Sequence, residues 1–185
     1  LAAGSLAAAP DLHRAAACSA LVLSNTTAVG PELAQRVGDE PGALQTLLTA
    51  LAAGSPAPAP NLHRAAACSA LALSNIIAVG PELAQRVVEE PGALRALLAA
   101  LAAGSPAAAP ELQGAAAYSA LVLADIADVD PELARPMVEE AGALPALVAA
   151  VAAGSAVHAP WEPWEPWVGS PRHHTADWSQ QAWLV

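Results

Sequence analysis

Asn61 to Gly80, NLHRAAACSALALSNIIAVG, is the stretch that decides the fold. It stands fifty residues earlier as Asp11 to Gly30, DLHRAAACSALVLSNTTAVG, and fifty residues later, more altered, as Glu111 to Asp130, ELQGAAAYSALVLADIADVD. A segment that returns at a fixed period with its apolar positions kept is one supersecondary unit, which buries its apolar face only against its neighbours. Aligned over fifty residues, 1–50 and 51–100 differ at eleven positions, and 51–100 and 101–150 at seventeen.

The punctuation inside a unit predicts three helices. Gly54-Ser55-Pro56-Ala57-Pro58-Ala59-Pro60 is a stiff loop that no helix crosses. Asn61, or Asp11 one copy earlier, is expected to N-cap a long apolar helix running to about Val79. Gly80 is expected at its C′ position, with Pro81 opening the next helix and Glu82 near that helix's positive end. This second helix, ELAQRVVEE, is short, and Pro91-Gly92 breaks it. A third helix of medium length follows, with Leu94, Leu97, Leu98 and Leu101 at i, i+3, i+4 and i+7. Sustained period-two alternation is absent, so no strands are expected.

Residues 1–154 therefore read as a repeat domain, with partial units over about 1–30 and 131–154 and whole units over 31–80 and 81–130. LAAGS at residues 1–5 matches 51–55 and 101–105, where it closes a helix. The sequence thus starts in mid-unit and is expected to be a fragment of a longer chain or an incomplete gene model.

Composition narrows the function classes. The chain is 55% hydrophobic but mostly through Ala, with no Phe and one Tyr, so its core requires closely approaching helices. No run of eighteen strongly apolar residues free of Gly and Pro occurs, which argues against a membrane span. The first residues lack the basic region and long apolar stretch of a secretory signal. Cys18 and Cys68 repeat one position, too far apart for a disulfide if units stack at about 10 Å. They are expected to be small half-buried thiols in a reducing compartment, which places the chain in the cytoplasm or nucleus. The formal net charge is −10, with seventeen acids against seven arginines and no lysine. Phosphate backbones need a basic surface, so nucleic acid is not an expected partner, whereas a basic peptide or protein face is.

No catalytic constellation emerges. Ser19, Ser69 and Ser119 have no adjacent base, and three copies would imply three active sites. His13 and His63 are expected as solvated side chains on an exposed first turn, one per unit and too far apart to share a metal ion. His173-His174 with Asp177 has little specificity as a metal site, and Glu89-Glu90 and Glu139-Glu140 read as solvated helix ends. There is no Gly-rich phosphate loop. Neither enzyme activity nor a cofactor or metal is expected.

Gly42-Ala43-Leu44 followed by Leu47-Leu48, then the loop, then Ala72-Leu73-Ser74-Asn75-Ile76, resembles the GAL-x-x-LV…ALSNIA pattern of armadillo repeats, and Ala143-Leu144-Pro145-Ala146-Leu147-Val148 is closer still. The resemblance covers residues 1 to about 154. It implies a right-handed α-solenoid, an armadillo-like superhelix, of about three fifty-residue, three-helix repeats whose long third helices line a concave groove. The period exceeds the roughly forty to forty-seven usual for such repeats, the excess lying in the Pro-rich loop.

The family further implies one Asn per repeat holding the main chain of an extended peptide. That Asn falls on Asn25 and Asn75, and Asp125 replaces it in the third copy. An amide both donates and accepts, whereas an ionised carboxylate only accepts, which weakens the third rung. Counting back along the same helical face gives Leu71, Cys68 and Arg64, with Leu21, Cys18 and Arg14 before them and Leu121, Tyr118 and Gly114 after. Where importin-α-type members carry Trp, this chain has Leu21, Leu71 and Leu121, which offer no π face to a lysine. A generic protein-binding groove is therefore expected rather than a nuclear-import receptor. Against this, the leucines could pack in the core and the asparagines brace their own helix ends.

Every Trp lies beyond Ser155, at Trp161, Trp164, Trp167, Trp178 and Trp183. In WEPWEPW a polyproline II helix would set the first three along one edge. This tail over 155–185 is expected to be either disordered or a cap on the last unit. The functional expectation is a non-catalytic scaffold binding an extended peptide. The alternative is a structural spacer or assembly module that self-associates through its uncapped end repeats.

Overall fold

The computed structural model describes residues 10–54, 59–105 and 107–156. The tail's Trp residues, His173, His174 and Asp177, and LAAGS at 1–5, lie outside these. Among the described residues the chain is all-helical, with nine helices packed on one another and no strand. In order they are α1 (Pro10–Val29), α2 (Pro31–Asp39), α3 (Ala43–Gly54), α4 (Pro60–Ile77), α5 (Pro81–Glu89), α6 (Ala93–Ala103), α7 (Pro110–Val129), α8 (Pro131–Glu139) and α9 (Ala143–Ala156). Long, short and medium alternate three times, as the punctuation predicts, and each trio, α1–α3, α4–α6 and α7–α9, is one unit of the folded chain.

Proline sets most helix starts. Pro10, Pro31, Pro60, Pro81, Pro110 and Pro131 are first helical residues, where φ is preset and the missing N–H has no intrahelical partner to lose. This corrects the expected caps. Ala59, not Asn61, is the N-cap of α4, with no side-chain cap bond, because Pro60 starts the helix one residue earlier. Gly80 is not a left-handed C′ residue. Its backbone is extended and it serves as the N-cap of α5. Asp130 takes the same place before α8, and its Oδ1 accepts from the Glu132 N–H at 2.9 Å. The left-handed glycines are Gly42, Gly92 and Gly142 at φ 77°, 81° and 86°, which turn the chain from each short helix into the next medium one.

Each long helix lies beside the next, α1 on α4 and α4 on α7, and each medium helix likewise, α3 on α6 and α6 on α9. Medium helices also pack on the following long ones, α3 on α4 and α6 on α7. The core between them is aliphatic and thin. Leu47, Leu51, Leu73, Ile76, Ile77, Leu83, Leu97 and Ile126 are fully buried, and buried alanines fill the helix crossings. Each such Leu or Ile contributes on the order of 1.5–3 kcal/mol relative to an exposed one. Glycine permits the tightest approach: a Cβ on Gly54 would collide with the Leu62 carbonyl and the Ala66 Cβ, and one on Gly104 with the Ala116 Cβ. By length and composition alone α7 could cross a bilayer, although Pro110 and Gly114 keep it from being the uninterrupted strongly apolar run that the sequence lacks. Here it lies against α4 and α6.

Candidate peptide-binding face

The candidate row falls on the three long helices. Arg14, Cys18, Leu21 and Asn25 lie on α1, Arg64, Cys68, Leu71 and Asn75 on α4, and Gly114, Tyr118, Leu121 and Asp125 on α7. Spacings of four, three and four keep each set on one helical face. Because α4 packs between α1 and α7, the three helices that carry the sets are neighbours. Arg14, Cys18, Asn25, Arg64 and Leu121 are exposed, while Leu21, Cys68, Leu71, Asn75, Tyr118 and Asp125 are half-buried. The leucines are thus neither core residues nor fully bare. Both cysteines are free thiols.

The three amide-position residues differ in what they hold. Asn75 Nδ2 donates to Thr27 Oγ1 at 3.2 Å, so this side chain ties α4 to α1 instead of bracing its own helix end. Thr27 is buried and its hydroxyl in turn donates to the Ser24 carbonyl at 2.9 Å. At the next junction Ile77 stands where Thr27 does, and offers Asp125 no hydroxyl. Thr27 escaped the sequence reading, yet the signal was there, since it is one of the few positions at which the first two units differ.

A second polar link joins the same two units. Arg86 Nη1 donates to Asp39 Oδ1 and Nη2 to the Gly38 carbonyl, both at 2.7 Å. The Gln35 amide, bonded to Asp39 Oδ2 at 2.9 Å, and then the Arg86 guanidinium hold the Asp39 carboxyl below its ordinary pKa. In the third unit Pro136 replaces Arg86 and the link has no counterpart. Arg95 instead reaches Glu140 at 3.3 Å, largely in solvent.

His63 is buried, not solvated as expected: Gly54 at the end of α3 lies against Leu62 and Ala66 on either side of it, and the neighbouring Ala65 packs with Ala17 and Ala20 of α1. His13, with no helix before it among the described residues, is half-buried. Ser69 and Ser119 are buried between long helices, and no partner for their Oγ atoms is found among the described residues. Buried there, they lack the access that a nucleophile requires. No group of three or more metal-ligating side chains occurs among the described residues. An open depression of about 430 Å³ lies at the far end, lined by Leu101, Leu123, Ala124, Met137, Leu147 and neighbours, and is almost wholly aliphatic.

No protein-family model, curated protein or solved structure matches this chain.

Proposed function

We propose that the chain is a non-catalytic protein-interaction scaffold, an armadillo-type right-handed solenoid that holds an extended peptide along the long helices α1, α4 and α7 inside the cell. The observation that carries this reading is the side-by-side placement of three long helices bearing one repeated row of partly exposed residues. Asn25, whose side chain is exposed, is the amide best placed to hold a peptide main chain, while Asn75 serves the junction with Thr27. Leu21, Leu71 and Leu121 supply shallow apolar contact, and the net charge of −10 favours a basic peptide.

The test is a displayed library of short unstructured peptides panned against the intact chain. Enriched peptides should be enriched in basic residues and should lose about fivefold or more in affinity with Asn25→Ala, the loss of one hydrogen bond of about 1 kcal/mol. Equal affinity for wild type, Asn25→Ala and Leu71→Ala would end the proposal.

A second reading, an assembly module, is favoured by large aliphatic side chains exposed on both end units, among them Leu12 and Val22 on α1 and Leu144 and Val148 on α9.

A further inference from the structure

We propose that the outer face of the first unit and the outer face of the last unit are two halves of one junction, and that a second copy of this chain docks head to tail across them. The chain already makes this junction twice with itself, α4 on α1 and α7 on α4, and α6 on α3 and α9 on α6, through positions fifty residues apart. Large aliphatic side chains exposed on these two outer faces stand at positions that the inner junctions cover. Val22 on α1 is 63% exposed, whereas Val122, the same residue type at the same position of α7, is fully buried. At the other end Val148 is 68% exposed, against 6% for its counterpart Leu98.

Charge complementarity points to the same occupant. Between the first two units Arg86 grips Asp39. The residues at those positions on the outer faces of the first and last described units are Arg36 and Glu139, both exposed. A second copy seated as the inner units are seated brings its Arg36 to Glu139 of the first. It also sets its Leu33 and Thr26 over Val138, as Leu83 and Ile76 lie over Gly38. Thr26 and Thr46 stand where the second unit has Ile76 and Ala96, which makes this face more polar than an inner one and the association weaker. Being heterologous, the contact leaves one face of each copy free to take a further one, so copies add in a row or close into a ring of more than two.

The inference rests on the assembly reading and uses none of the proposed peptide-row residues, so a chain that captures peptide but never assembles would separate the two. The test is sedimentation equilibrium of the full 185-residue chain across concentration, with Val22→Glu and Val148→Glu variants. Both positions are largely in solvent, and unchanged circular dichroism and melting would verify folding. Wild type should grow beyond a dimer as concentration rises, and each variant alone should stay monomeric. An equimolar mixture of the two should stop at a one-to-one dimer, since each supplies the face the other lacks. Arg36→Glu should weaken association by about two- to tenfold, and Arg36→Glu with Glu139→Arg should restore it.

A wild-type chain that stays monomeric at about 1 mM, near the effective concentration of a short tether, overturns the proposal. So does self-association of either single variant, or a mixture that fails to pair. All five tryptophans lie at 161–183, so their emission reports on that segment alone. A monomer whose blue-shifted emission moves to the red with Val148→Glu would assign the last face to that segment and likewise overturn the proposal.

Discussion

The middle unit and the last unit carry similar sequences in different surroundings. Leu94 on α6 and Leu144 on α9 are the same residue at the same position, yet Leu94 is 8% exposed and Leu144 55%. The medium helix α6 lies between α3 and α9, whereas α9 has α6 and α8 beside it. Burial here belongs to the neighbour as much as to the residue. In the proposed solenoid, stability is a sum of unit and junction contributions.

The largest expected effect breaks this pair apart. Leu94→Ala should cost about 2–4 kcal/mol in urea denaturation, as large-to-small changes in a packed core do, while Leu144→Ala should cost under about 1 kcal/mol. Equal costs would mean that α9 is covered in solution. Next come two glycines. Gly54→Ala drives a methyl group into the Leu62 carbonyl and Ala66, and should destabilise by about 1–3 kcal/mol. Gly114 sits within α7 with nothing nearer to an added Cβ than the Ala67 Cβ at 3.8 Å. Gly114→Ala should therefore raise the melting temperature, contributing about 0.5–1 kcal/mol from helix propensity.

A third contrast concerns the two asparagines. Asn75→Ala removes the bond to Thr27 and should cost about 1 kcal/mol, whereas Asn25→Ala should leave the unfolding midpoint unchanged. The smallest effect is on acid stability. Folding lowers the Asp39 pKa, so the unfolded chain binds the extra proton and stability rises with pH through this range. The contribution is complete above the unfolded value near about pH 4 and disappears as pH falls through the lower folded value. Acid titration of Asp39→Asn, followed by circular dichroism, should show a slightly shallower loss below that pH than wild type.

Much of the architecture was legible because proline and glycine act locally. Pro31, Pro81 and Pro131 open short helices, and the glycines at 42, 92 and 142 close the gap that follows, whatever lies around them. The errors were also local: with Pro60 at the first helical position, Asn61 was already inside the helix and could not cap it. What sequence alone did not give was contact between units. His63 looks like any first-turn histidine until α3 and α1 are laid over it, and Asn75 looks free until Thr27, forty-eight residues away, is placed beside it. In the proposed row, helical spacing predicted which residues share a face. Which amide is already engaged depended on the register between helices, and no periodicity reports that.

The polar links between the first two units have a consequence for how the chain finds its order. The second and third long helices share many of their residues, so a chain that slips by one repeat during folding brings the third rather than the second to the first unit. A slipped chain with α7 on α1 would loop out a whole unit and bring Asp125 and Pro136 to Thr27 and Asp39, where neither can donate a hydrogen bond. Only the second unit completes both links, so a hydroxyl and a carboxylate favour correct threading over the slipped chain.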